Sequence, residues 1–104
     1  MSEAILEAKG EETEATLLLL DARDAKQKAW DNFERASEAY RSALWKTFDD
    51  YKNDSERAIE DAAYGRLVEA VEKVKAARQK ELEGYQRHSE AIAKLRAAVA
   101  GEED

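Results

Sequence analysis

The sequence predicts an all-α fold: a long antiparallel helical hairpin, coiled-coil-like, self-associating into a four-helix bundle. Three observations carry that expectation. Apolar residues recur at three- and four-residue spacing from about Thr13 to Val99, with charges filling the gaps. The 104 residues include no proline and only 4 glycines. Alanine, glutamate, lysine, arginine and leucine dominate, the composition of long helices. A charged fraction of 39% would also suit a disordered chain. Disorder, however, brings the proline, glycine and serine enrichment that is missing here.

The elements follow in order within a single helical domain, 1–104. Ser2 caps a short first turn through Glu3 and Ile5, which Gly10 interrupts. The first long helix spans about 11–52. Ala15, Leu18, Ala22, Ala25, Ala29, Ala36, Ala39 and Ala43 form one seam, with Asn32 as a polar interruption. Leu19, Trp30, Phe33, Tyr40, Leu44, Phe48 and Tyr51 form a bulkier one beside it. Together they make a wider apolar face than a two-stranded contact needs, so this helix touches more than one neighbour.

The break falls at Asn53. Asn53 followed by Glu56 reads as a capping box, and Asp54 and Glu56 favour a first turn. A turn at about 53–54 leads into a second helix over about 54–99. Its stripe is Ile59, Ala63, Leu67, Ala70, Val74, Ala77, Leu82, Tyr85, Ile92, Leu95 and Val99. Gly101 and an acidic tail, 101–104, end it. Folding back at Asn53 sets Phe48 against Ile59, Leu44 against Ala63, Tyr40 against Leu67, Phe33 against Val74, Ala22 against Tyr85 and Ala15 against Ile92. Large residues then meet small ones. A bent, continuous helix is the competing architecture. The pairs Asp31–Arg35, Glu69–Lys73, Glu83–Arg87 and Glu90–Lys94 place acid four residues before base and support the helices.

Net charge is −7, which opposes binding of a polyanion by the molecule as a whole. There is no cysteine, hence no disulfide or thiolate chemistry. The run Leu17–Leu20 is too short for a signal sequence or a membrane span and is flanked by acids. The expectation is a cytoplasmic protein.

No constellation for catalysis, cofactor or metal binding emerges, so no residue is assigned those roles and an enzyme is not expected. His88 is the only histidine. No buried acid or nucleophile is signposted beside it, and it reads as flanking the seam. A di-iron bundle needs Glu-x-x-His, but Tyr85 stands three residues before His88. One histidine and no cysteine leave no structural zinc site. Calcium loops and phosphate-binding glycine loops are missing as well. Lys73, Lys75, Arg78 and Lys80, with Arg66 upstream, form the densest basic cluster. The interleaved Glu69, Glu72, Glu81 and Glu83 cancel most of its field, which argues against nucleic acid. Residues 1–24 carry seven acids against two bases, which argues against an interfacial membrane helix.

What remains is a non-enzymatic interaction or assembly protein acting through apolar helix faces: a scaffold, a complex or virion component, or a helical chaperone. A hairpin buries only one side of each helix, so a protein partner is expected, most simply a second copy in a homodimer. Leu17, Leu20, Trp30 and Trp45 are the candidate partner-binding residues. The alternative is an acidic inhibitor or nucleic-acid mimic that binds a basic protein surface.

Overall fold

The computed structural model describes residues 2–46 and 53–103, the side chain of Glu103 excepted. Two helices, α1 (Glu3–Lys46, 44 residues) and α2 (Asp54–Glu103, 50 residues), pack as an antiparallel hairpin.

Each helix starts where a side-chain oxygen can take an orphan backbone donor. The Ile5 N–H donates to Ser2 Oγ at 3.2 Å, and the Glu56 N–H donates to Asn53 Oδ1 at 2.8 Å. Ser2 therefore caps the whole of α1 rather than one isolated turn. Gly10 does not interrupt the helix, because a single glycine costs only about 1 kcal/mol against a long run of good helix formers. Gly101 likewise fails to stop α2, which continues through Glu103. The expected turn residues 47–52, including Phe48 and Tyr51, lie outside the described residues.

Burial reveals a stricter rule than the expected seams. Along α1 the buried and half-buried positions include Ile5, Ala8, Glu12, Ala15, Leu19, Ala22, Lys26, Ala29, Phe33, Ala36, Tyr40 and Ala43. Their spacing alternates three and four, a heptad in which alanine occupies every d position. On α2 the corresponding positions run Glu60, Ala63, Leu67, Ala70, Val74, Ala77, Glu81, Gly84, His88, Ala91, Leu95 and Ala98. There too the residue recurring every seven is small. Ala8 and Ala70 are fully buried, at 0% exposure.

Several sequence expectations are corrected by this seam. Leu18, Ala25 and Ala39 are exposed, as are Trp30 and Leu44. On α2 the expected stripe holds from Ala63 to Ala77, then parts from the seam: Ile59, Leu82, Tyr85 and Val99 are all exposed. The register also differs. Folding back at Asn53 puts Leu19 opposite position 88, but Leu19 lies against Gly84, four residues and one turn away. Tyr40 meets Tyr64 rather than Leu67, with ring centroids 5.6 Å apart. Backbone proximity decides this register, since helices slide to where their small residues allow the closest packing. A Cβ added at Gly84 would stand 3.5 Å from the Leu19 Cα and 3.3 Å from its Cδ1.

The expected acid-then-base pairs do not form as drawn. Asp31 accepts from Gln27 Nε2 at 3.1 Å, and Glu83 from Gln79 Nε2 at 3.3 Å. Lys94 crosses to Glu11 on the other helix rather than pairing with Glu90, which accepts from Gln86.

The described residues divide into two units. One joins 2–25 with 78–103, the other 26–46 with 53–77. In the first, Ile5, Ala8, Ala15, Leu19 and Ala91 form the buried core; in the second, Ala43, Ala63, Ala70, Val74 and Ala77 do. Both cores are dominated by alanine, each methyl of which contributes little on its own (about 0.8 kcal/mol per buried carbon).

Candidate interaction faces

Lettering the heptad with the seam at a and d puts Glu11 and Lys94 at g on their helices. Their side chains meet at 2.7 Å, so the two g edges lie on one side of this helix pair and the two e edges on the other. Hydrogen bonding by Glu11 raises the Lys94 pKa above its usual value; desolvation opposes it, and the charges of Glu11 and Glu7 add further upward contributions.

Most large apolar side chains that stay exposed collect on the e side, at positions e and b. In the first unit these are Leu6, Leu20, Leu82, Tyr85 and Val99, with half-buried Ile92 among them. Leu17 and Leu18 are the exceptions there. In the second unit they are Trp30, Leu44, Tyr64 and Val68, with Trp45 and Ile59 elsewhere. Trp30 is steadied by an edge-on contact with Phe33, centroids 5.6 Å apart and planes at 90°.

The four residues singled out from sequence are all exposed: Leu17 at 59%, Leu20 at 52%, Trp30 at 40% and Trp45 at 76%. The fold does not gather them. Leu20 belongs to the apolar side of the first unit and Trp30 to that of the second, whereas Leu17 and Trp45 fall at f, on the outer face of α1. Sequence periodicity does not mark Leu6, Tyr64 and Val68 as surface, and it assigns Leu18, Leu44, Ile59, Leu82, Tyr85 and Val99, all exposed, to the seams.

Charge is sorted as sharply as hydropathy. In the first unit, the e and b positions hold Lys9, Arg23, Arg78 and Arg96 and no acid among residues whose side chains are described. None of these four makes a side-chain hydrogen bond or ion pair among the described residues. The outer face of α1 in the same unit, positions c and f, is the reverse: Glu3, Glu7, Glu14, Asp21 and Asp24, with Leu17 between them and no base. The basic cluster read as one stripe is divided between edges. Arg66, Lys73 and Lys80 stand at g, in line with Arg87 and Lys94, while Lys75 and Arg78 stand at b and e.

His88 does not flank the seam but sits in it. Its Nε2 lies 3.5 Å from Glu12 Oε1, with both side chains about a quarter to a third exposed. The Thr16 hydroxyl lies 2.9 Å from the Glu12 carbonyl oxygen, to which it donates, and 3.0 Å from Glu12 Oε1. Charged residues also occupy the seam at Lys26, Glu60 and Glu81, and polar groups at such positions can help select which heptads face each other.

Among the described residues no helix is long and apolar enough to cross a membrane. Neither a family model, nor a curated protein, nor a solved structure matches the chain.

Proposed function

We propose that the protein is a non-enzymatic interaction and assembly module whose working surface is the apolar side of the helix pair. The observation that carries this reading is the gathering of most exposed large apolar side chains onto the e side, Leu17, Leu18, Trp45 and Ile59 apart, while alanine or glycine fills every d position of the seam. A hairpin that leaves this many large apolar side chains on one outer side is organised for a further partner. The partner in this reading is another helix pair, most simply a second copy, making a four-helix contact.

Size-exclusion chromatography with light scattering, run from micromolar to millimolar protein, tests this. The expected result is a dimer or larger mass with concentration-dependent tryptophan burial. A monomer throughout, with unchanged fluorescence, overturns self-association.

The second reading, an acidic inhibitor of a basic surface, rests on the outer row of α1. Five acids without a base over 3–24 form the continuous anionic stripe such a mimic needs. Binding to a basic DNA-binding protein that disappears between low and moderate salt would favour it.

A further inference from the structure

We infer that copies of this chain dock head to tail, the acidic outer face of α1 in one copy lying on the basic-rimmed apolar side of the first unit in the next. The inference deepens the assembly reading and rests on it. The receiving side is Leu82, Tyr85 and Val99 along α2 with Leu20 on α1, bordered by Arg23 and Arg96. On a chain of net charge −7, an apolar surface rimmed only by bases is a local inversion of the molecule's field. Two identical copies of that side repel through their bases, which disfavours symmetric pairing across it. What suits it is an apolar ridge flanked by carboxylates.

The same unit carries such a ridge. Leu17 stands between Glu14 and Asp21, with Glu7 in line seven residues before Glu14. The lengths agree as well: Arg78 to Arg96 and Glu3 to Asp21 each advance eighteen residues, roughly 27 Å of helix. The unpaired guanidinium groups of Arg23 and Arg96 have no acid three or four residues away on their own helices, so they are free to meet a neighbour's carboxylates. Because donor ridge and receiving side are different patches, the contact is heterologous and repeats until it closes into a ring or runs on as a filament.

The test is a charge-swap experiment on the full chain. One variant carries Arg23→Glu with Arg96→Glu, the other Glu14→Lys with Asp21→Lys. All four positions are exposed, and far-UV circular dichroism checks that both variants remain helical. Sedimentation velocity of the unchanged protein is expected to show association that weakens as salt rises. Each variant alone is expected to associate at least about tenfold more weakly. Mixed, they are expected to regain association, since the native ridge of one variant meets the native side of the other and the two swapped patches are again opposite in charge. Variants that associate as the unchanged protein does, or a mixture no better than its components, overturn the head-to-tail contact while leaving self-association standing. Tighter association of the arginine variant also overturns it, in favour of symmetric pairing of the apolar sides. A monomer at every concentration overturns this inference and the self-association reading together.

Discussion

The two units obey one spacing rule and fill it differently. Alanine or glycine recurs every seven residues in both seams, but the intervening a positions diverge. In the second unit Phe33 and Tyr40 on α1 and Leu67 and Val74 on α2 supply aromatic and branched volume, with Lys26 and Glu60 at its ends. In the first they include Glu12, Glu81 and His88, with Leu19 lying against Gly84. The outer sides diverge as well. The second unit mixes Glu34, Arg41, Arg57, Asp61 and Lys75 around its apolar residues, whereas the first shows only bases. Mixed signs tolerate any orientation of a neighbour; a single sign selects one. The alanine rule supplies the hairpin, and the departures from it supply register and recognition.

Core substitutions test the rule most strongly. Leu19→Ala removes the side chain that fills the space over Gly84 and should cost about 3 kcal/mol, read by urea denaturation. Ala70→Leu, at a site with no exposed surface, should cost about 2 kcal/mol through overpacking in the other unit. A cost below about 0.5 kcal/mol for Ala70→Leu would mean the small residues are not there to allow close approach.

The polar seam residues come next. His88→Leu deprives Glu12 of its imidazole neighbour and should destabilise by about 1 kcal/mol, a figure kept small because water reaches both side chains. Adding Glu12→Leu should recover that loss while relaxing the heptad match, visible as broadened amide resonances along the first unit. If the double variant keeps sharp resonances, register is set elsewhere.

Two glycines sharpen the comparison at a similar scale. Gly10 has no atom within 4 Å of an added Cβ, so Gly10→Ala should stabilise by about 1 kcal/mol. Gly84→Ala gains the same propensity but must displace Leu19, and its thermal midpoint should rise less or fall. Equal gains at both would contradict the close approach.

The smallest effect belongs to the Glu11–Lys94 pair. The Lys94 pKa is higher in the folded than in the unfolded chain, so the pair's contribution is fully present below the ordinary lysine value of 10.5 and fades as pH rises through the folded value. Glu11→Gln should flatten the stability profile only in that alkaline range, measured at low salt because exposed pairs are screened.

The hairpin, the two cap residues and the stripe from Ala63 to Ala77 were legible in the sequence because there the apolar, the small and the buried coincide. They part company beyond Ala77. The seam continues through Glu81, Gly84 and His88, none of them apolar enough to mark it, while Leu82, Tyr85 and Val99 mark the exposed side. Hydropathy followed the bulky residues and so led onto the outer surface. The one-turn difference in register has the same origin, since it depends on backbone approach at Gly84, which side-chain hydropathy does not encode. Leu17, Leu20, Trp30 and Trp45 were recognisable as surface candidates by size alone, but their division between different faces needed the heptad phase.

A seam that repeats every seven residues on both helices also works as a graduated scale. Removing seven residues from α1 and seven from α2 at the same level leaves every remaining alanine in phase with the seam, so the hairpin can be shortened or extended in steps of roughly 10 Å. Polar seam residues such as Glu12 and His88 break that uniformity and mark particular steps of the scale. Length in this protein is therefore a quantity that can change by whole steps while the helix-to-helix contact stays the same.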